Sequence, residues 1–237
     1  MRLFGLAALL LLLNQSMVYA DDPIDPIDHM SRSTLALTVA GGTMLDVDRT
    51  EAGKTNEQPA AGLGLLDWDS IGLAKEGTIA VALSFMQPLM RYAALGFEAQ
   101  FRSWASRQDI QLGYPRYQAL DFSLLPRGQL PVSRRVAFIA TLPLGASASF
   151  IDADIEHRTF KEQASLGYGF NLGLFAGVSF AMQEHLGMRF ELGVSQHWLH
   201  HRWSYTSTTQ QPFANEHEDV SYATTTLLLR VSFYYAL

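Results

Sequence analysis

The chain has 237 residues, of which 48% are hydrophobic and 17% are charged, and its formal net charge is −6. This length and composition predict one substantial folded domain and exclude an intrinsically disordered protein, and the lack of a strong positive charge argues against nucleic acid as a partner. Because the chain has no cysteine, a disulfide framework, a thiolate metal site and a cysteine nucleophile are also excluded.

The first 20 residues have the pattern of a secretory signal peptide. Arg2 precedes an apolar stretch from Leu3 to Leu13, and the segment closes on the small residue Ala20. The apolar stretch is too short for a comfortable transmembrane helix, which disfavours the alternative of an uncleaved anchor. Residues 21–32, DDPIDPIDHMSR, are acidic and carry two prolines, which predicts an extended N-terminal segment.

From residue 33 to residue 237 the recurring pattern has a period of two, which is typical of β-strands. In the last stretch, for example, Leu229 and Phe233 share one face and Arg230 lies on the other. Eight such stretches follow one another: STLALTVAGGTML, EGTIAVALSF, RYAALGFEAQFRSW, YQALDFSLL, RVAFIATLPLGAS, GYGFNLGLFAGVSF, LGMRFELGVSQHW and TTTLLLRVSFYYAL.

The predicted strands and their connections favour a membrane barrel. Several strands run for about ten residues, which is longer than is usual in soluble proteins and long enough to cross a membrane. Short turns are predicted around Gln87-Pro88, Pro126 to Gly128 and Gln183 to His185; long loops are predicted at about 49–76, 104–115, 150–165 and 200–221. This alternation of short and long connections is typical of bacterial outer-membrane barrels.

The two faces of the strands argue against a soluble up-and-down barrel. The outward face of such a barrel would be densely charged, whereas the less apolar face here is rich in Gly, Ser, Thr and Asn, which suits a narrow lumen. The sequence therefore predicts an all-β fold: an eight-stranded antiparallel up-and-down transmembrane β-barrel with short periplasmic turns and long extracellular loops. The last strand is expected to pair with the first and close the barrel.

The stretches LGFEAQFR, VAFIATLPLGA, GLFAGVSF and EHLGMRFELGV, with the apolar C-terminal strand, resemble the small outer-membrane β-barrel proteins of Gram-negative bacteria, the OmpA/OmpX-type group. The resemblance covers about residues 33 to 237 and implies the fold and the outer membrane as the location. Such chains commonly end on an aromatic residue, whereas this chain ends on Leu237. The resemblance implies no particular function, because these barrels host many activities.

Charged residues of both signs are expected to collect on the lumen face. Ionised groups in a narrow interior need partners, so we predict a paired network that fills the barrel, with a gate that opens by exchange of partners as the alternative. The network comprises three residues of each sign: Glu98, Asp121, Glu191, Arg102, Arg189 and Arg230.

Two other groups of residues have a pattern that could support chemistry. Ser195, His197 and Glu191 share one strand face and offer a hydroxyl, a base and a carboxylate. QHWLHHRW brings His197, His200 and His201 together as candidate zinc ligands, with His217 and Glu218 in the same predicted long loop. Such triplets arise easily by chance, and alternation separates His200 from the other two histidines. We therefore predict polar lumen filler and an aromatic girdle that includes Trp198 and Trp203, with no catalytic residue, metal or cofactor.

Two classes of function remain. The first is a non-enzymatic outer-membrane barrel with a structural, surface-interaction or envelope-complex role. The second is a barrel enzyme acting on lipid A or surface peptides. A narrow small-solute channel is a third option, which is disfavoured because eight strands leave little free lumen. The expected partners are outer-membrane lipid and lipopolysaccharide, and other envelope proteins bound through the long loops or the acidic N-terminal segment.

Overall fold

The computed structural model of the protein describes residues 31–54, 77–104, 116–152, 156–157, 160–162, 165–207 and 215–237. The predicted signal peptide, and the acidic segment up to residue 30, lie outside these ranges. The described residues form the strands β1 (Thr34–Lys54), β2 (Gly77–Met90), β3 (Ala93–Trp104), β4 (Arg116–Pro131), β5 (Val136–Thr141), β6 (Leu144–Asp152), β7 (Glu156–His157), β8 (Phe160–Glu162), β9 (Ser165–Ala181), β10 (Leu186–Ser207) and β11 (Asn215–Ala236). Within this part of the chain, no helix is long and apolar enough to cross a membrane.

Antiparallel pairing closes these strands into a ring of eight. β5 and β6 are two parts of one barrel strand, because both pair with β4 and with β9. The register is the same on both sides of the short gap at Pro143. β11 pairs with β1 along almost its whole length, so the barrel has no open edge. The short β7–β8 hairpin adds to β10 outside the ring. The predicted eight-stranded antiparallel barrel is confirmed.

The strands of the barrel are tilted. Following paired residues once round the ring from Thr38 leads back to β1 at Arg49 rather than at Thr38. This offset is the stagger that a closed barrel requires when its strands are inclined to the axis. It determines which side chains of different strands meet inside the lumen.

The two faces of the strands separate as the alternation predicts. Phe97 is 63% exposed and Leu229 is 53% exposed on the outer wall, whereas their chain neighbours Glu98 and Arg230 are buried inside. The outer wall carries a continuous belt of exposed apolar residues from β1 to β11. An exposed apolar patch of this extent marks a lipid-facing surface.

Two of the three predicted short turns were wrong in position. The turns lie at residues 91–92 and 132–135, whereas Pro88 and Pro126 are inside paired strands opposite Ala94 and Leu95. A proline removes only the ladder hydrogen bond that its own N–H would donate, and the carbonyl of Pro126 still accepts one from the N–H of Leu142 at 3.0 Å. The third turn, around Gln183 to His185, is confirmed: the N–H of Met182 donates to the carbonyl of Leu186 at 2.9 Å.

Three of the four predicted long loops were too long, and residues 105–115 of the fourth lie outside the described residues. β10 continues to Ser207 and β11 starts at Asn215, so most of the predicted 200–221 loop is paired strand. β1 likewise continues to Lys54, and β7 and β8 occupy part of 150–165. Backbone hydrogen bonds hold these extensions together, and such bonds do not need the apolar alternation on which the prediction depended.

Candidate functional site

The candidate site is the barrel lumen, which polar side chains fill along much of its length. Each predicted network residue points inward and is at most 5% exposed. These residues come from four different strands, β3, β4, β10 and β11. The stagger of the barrel brings five of them together in two groups, and Arg189 lies apart from both.

The first group lies in the half of the lumen nearer the short turns. Arg230 of β11 forms a close ion pair with Glu98 of β3 across the lumen. Glu191 of β10 accepts a hydrogen bond from the Thr141 hydroxyl at 2.6 Å and lies 3.9 Å from Nη2 of Arg127. Arg127 is buried and donates through Nε to Thr141 at 3.0 Å.

Arg127 is a lumen residue that sequence reasoning missed. The Pro126 to Gly128 stretch was assigned to a turn, which removed Arg127 from the strand pattern. Its parity with Asp121 and Ser123 on β4 was the signal that could have found it, since all three are buried on the same face.

The second group lies nearer the long connections and centres on Asp121. Its Oδ1 accepts from the Ser147 hydroxyl at 2.6 Å, and its Oδ2 lies 3.0 Å from Nε2 of His197 and 3.6 Å from Nη2 of Arg102. Arg102 also donates to the Ser195 hydroxyl at 3.2 Å. The Ser147 hydroxyl and the Arg102 guanidinium therefore both lie against the Asp121 carboxylate, and these partners compensate the free-energy cost of burying its charge.

Asn171 of β9 extends the second group across the lumen with uncharged hydrogen bonds. Its side-chain oxygen accepts from Ser123 at 2.8 Å, and its side-chain nitrogen donates to the Ser147 hydroxyl at 2.9 Å. Phe175 of β9 also faces inward, with its ring 4.8 Å below the guanidinium carbon of Arg230. Contacts of this kind are expected in an eight-stranded barrel, whose interior is just wide enough for side chains.

Arg189 lies apart from the carboxylates at the short-turn end. Among the described residues it forms no ion pair within 4 Å; its Nη2 donates to the Thr34 hydroxyl at 2.9 Å, and its guanidinium stacks 4.2 Å above the ring of Tyr234. Both partners are neutral. Arg189 therefore differs from Arg102, Arg127 and Arg230, each of which has a carboxylate within 4 Å.

Ser195, His197 and Glu191 are all buried on one face, but they contact different partners. Ser195 contacts Arg102, His197 contacts Asp121, and Glu191 contacts Thr141 and Arg127. A nucleophilic triad needs its base between the hydroxyl and the carboxylate. The nearest arrangement here has the carboxylate of Asp121 in the middle, so it does not activate a hydroxyl.

The histidines of β10 also separate. His197 and His201 point inward, and Nε2 of His201 lies 2.7 Å from the Ser149 hydroxyl, whereas His200 lies on the outer face with its Nδ1 3.2 Å from the Ser221 hydroxyl. In the part of the chain that the structure describes, no group of three or more acidic or histidine side chains could hold a metal ion. The side chains of His217 and Glu218 lie outside that part.

Aromatic side chains gather on the outer wall at two levels. Trp198 stacks on Phe170 at 4.6 Å and Tyr168 packs edge-on to His200 at 5.5 Å toward the long connections, and Tyr235 stacks on the ring of His185 near the short turns. Amphipathic rings prefer the headgroup level of a bilayer, so these rows mark its two interfaces. The side chain of Trp203, which was predicted to belong to the girdle, lies outside the described part.

No protein-family model matches the chain, and no curated protein matches it in sequence. Its fold does match solved structures of bacterial outer-membrane proteins. The outer membrane protein OprG from Pseudomonas aeruginosa aligns with a TM-score of 0.50 and 11% identity over 87% of this chain and 96% of OprG.

Two further solved structures align less closely. The Neisserial surface protein A gives a TM-score of 0.42 and 10% identity over 84% of this chain and 96% of its own. Ail, the attachment invasion locus protein of Yersinia pestis, gives 0.36 and 9% over 84% of this chain and 99% of its own. At these identities the likeness shows a shared fold and selects no single activity. The closed ring of eight strands, the apolar outer wall and the polar lumen are the fold of the small Gram-negative outer-membrane β-barrels.

Proposed function

We propose that the protein is a non-enzymatic outer-membrane barrel that acts through its extracellular surface, in a structural, surface-interaction or envelope-complex role. The observation that carries this proposal is the length of three neighbouring strands. β1 has 21 residues, and β10 and β11 have 22 residues each, whereas a transmembrane strand needs about nine to eleven.

The membrane-spanning part of these strands can be located on β11. Its described outward residues are apolar from Tyr235 to Leu227 and small or polar from Thr225 to Ser221. Within the second stretch Ala223 pairs with the girdle residue Trp198, and the other girdle row contains Tyr235. At about 3.3 Å per residue and a tilt of about 40°, the stretch from Ala223 to Tyr235 spans about 30 Å. This height matches the hydrocarbon core of a bilayer.

The remaining strand residues form a projecting sheet beyond that band. We define this projecting sheet as residues 49–54, 199–207 and 215–222 together with β8. Pairing in it continues to the Thr206–Asn215 and Lys54–Glu218 pairs, and β8 adds to the outer end of β10. A paired sheet outside the bilayer presents a preformed surface and an edge to which another extended segment could add.

The lumen favours this role over the channel and the enzyme. A channel needs a continuous water-filled path, but the two polar groups and Phe175 occupy the cross-section. The hydroxyl–base pair predicted for the enzyme alternative does not form, because Ser195 contacts Arg102 and His197 contacts Asp121. Buried ion pairs in such a position serve the structure when no second arrangement is observed.

Photo-cross-linking in intact cells tests the surface role. A photoreactive residue at Ser207, at the outer end of β10, should yield protein or lipopolysaccharide adducts, whereas one at the lipid-facing Leu174 should yield lipid adducts only. A shortened variant that lacks residues 202–220 and joins His201 to Ser221 by a two-residue turn should still fold and should lose the adducts formed next to the removed sheet. Equal adduct patterns for Ser207 and Leu174 would contradict the proposal.

We also propose that export proceeds through the signal peptide and ends with cleavage after Ala20. N-terminal sequencing of the protein from purified outer membranes should then begin at Asp21. The acidic segment 21–32 would follow on the periplasmic side, where the strand termini Thr34 and Ala236 lie next to the short turns. A start at Met1 would contradict this part of the proposal.

A further inference from the structure

A small cavity opens at the short-turn end of the lumen, and we call it the mouth cavity. Its volume is about 30 Å³, which is more than a single water needs. Three arginines and no carboxylate line it, together with neutral polar and small apolar residues: Arg127, Arg135, Arg189, Gln129, Ser179 and Tyr234 provide the polar atoms.

Arg189 buries a positive charge that has no carboxylate within 4 Å among the described residues. It is 5% exposed, and its contacts among the described residues are the Thr34 hydroxyl and the Tyr234 ring, which are both neutral. A buried guanidinium is unfavourable unless an anion compensates it. The cavity adjoins Arg189 and provides a space from which a small anion could approach its guanidinium.

The nearby carboxylates lie against other residues. Glu98 is paired with Arg230, and Oε1 of Glu191 accepts from Thr141 and lies 3.9 Å from Arg127, whereas its buried Oε2 has no hydrogen-bond partner among the described residues. The half of the lumen nearer the short turns buries Arg127, Arg189 and Arg230 but only two glutamates, Glu98 and Glu191. This balance leaves one positive charge in excess next to an opening.

We propose that the mouth cavity binds a small oxyanion, a phosphate or carboxylate group, between the guanidiniums of Arg189, Arg127 and Arg135. Planar guanidiniums match the paired oxygens of such groups with two parallel hydrogen bonds. On the same wall, the Ser179 hydroxyl donates to the Tyr234 hydroxyl at 3.4 Å, and the Tyr234 hydroxyl donates to the carbonyl of Phe180 at 3.3 Å, so the arginines are the donors that the proposal assigns to the anion. The mouth cavity lies at the opposite end of the barrel from the projecting sheet, so a test of one proposal does not test the other.

Titration of the full chain with inorganic phosphate tests the site. The protein is refolded in a phosphate-free sugar detergent, and phosphate is added while heat and thermal unfolding are measured, with sodium chloride at equal ionic strength as the reference. We expect saturable binding and a higher unfolding temperature with phosphate only. Arg189→Gln should weaken the binding by about tenfold or more, without lowering the unfolding temperature in phosphate-free buffer.

Two further variants make the result specific. Arg134→Gln removes the same charge from an exposed position in the adjacent turn and should bind phosphate as the wild type does. Ser179→Asp places a carboxylate in the cavity wall; it should fold, gain thermal stability and no longer respond to phosphate. Absence of saturable binding in the wild type, or equal loss in Arg134→Gln and Arg189→Gln, would overturn the proposal.

The source of the oxyanion is decided by adding phosphatidylethanolamine to the detergent. If its phosphate headgroup occupies the mouth cavity, the wild type should lose its response to inorganic phosphate and Arg189→Gln should bind the lipid more weakly. If the response persists, the site takes a soluble anion from the periplasm. An equal response to phosphate and chloride in the first titration would again overturn the proposal, since it would show only screening of charge.

Discussion

Arg230 of β11 and Glu98 of β3 form an ion pair across the barrel lumen, although 132 positions separate them in the chain. Both side chains are almost completely buried. The pair therefore joins two strands on different sides of the ring, and it holds the lumen closed at the level of Phe175.

Removing one member of this pair should destabilise the barrel. Glu98→Gln leaves the charge of Arg230 buried beside an amide, and we expect a loss of about 3 to 5 kcal/mol in the free energy of unfolding. Urea-dependent unfolding of the refolded barrel in lipid vesicles measures it. The double variant Glu98→Gln/Arg230→Met should recover most of the loss, because no unpaired charge remains. Equal stability of Glu98→Gln and the wild type would show that the pair contributes nothing.

Ser195 and His197 should act as packed polar residues and not as catalysts. Ser195→Ala removes one acceptor from Arg102, and we expect a loss of about 1 to 2 kcal/mol with an unchanged mass spectrum of lipid A from cells that carry the variant. His197→Ala removes a partner of Asp121 and should likewise leave lipid A unchanged. A lipid A modification that depends on both residues would instead support the enzyme alternative.

Charge on the outer wall should be costly in proportion to depth. Phe97→Arg and Leu229→Arg place arginine on exposed apolar positions, and each should cost about 2 to 4 kcal/mol if it lies near the bilayer midplane. Val132→Arg is the matched control, since Val132 is 58% exposed but lies in a turn, where the cost should be about 0 to 1 kcal/mol. Refolding into vesicles followed by urea titration gives all three values, and equal costs would refute the assignment of the lipid face.

Two glycines should respond oppositely to alanine. A Cβ at Gly145 would run into the backbone of the neighbouring strand at the Phe122 carbonyl, whereas a Cβ at Gly41 has nothing within 4 Å. Gly145→Ala should therefore cost about 1 to 3 kcal/mol or more, because two paired strands must separate. Gly41→Ala should be neutral or more stable by up to about 1 kcal/mol. The ratio of folded to unfolded bands on an unheated denaturing gel compares them, and a reversed order would contradict the strand packing.

Cysteine labelling should report the orientation of the barrel, because the chain has no cysteine of its own. Ser207→Cys, at the end of β10, should react with an impermeant maleimide on intact cells. Ser133→Cys and Gln183→Cys lie in the short turns and should react only after the outer membrane is permeabilised. Labelling of the two turn variants on intact cells, with Ser207→Cys silent, would invert the topology.

The sequence by itself determined the fold class and the face of each residue. Successive strand side chains point to opposite faces, so the separation of Leu229 from Arg230, or of Phe97 from Glu98, is a local property that alternation reveals. A strand that crosses a bilayer needs apolar residues on its lipid-facing side over the thickness of the membrane, and this pattern predicted the eight strands. Alternation also placed Ser195, His197 and Glu191 inside the lumen.

Only the tertiary structure decided which lumen residues meet. The contacts of Ser195 with Arg102, of His197 with Asp121 and of Glu191 with Arg127 join different strands, and they depend on the stagger with which the ring closes. The stagger results from the registers of all the strand pairs together, so the sequence of any one strand does not determine it. The same reason explains the extra length of β10 and β11, since backbone pairing beyond the bilayer needs a neighbouring strand and no apolar pattern.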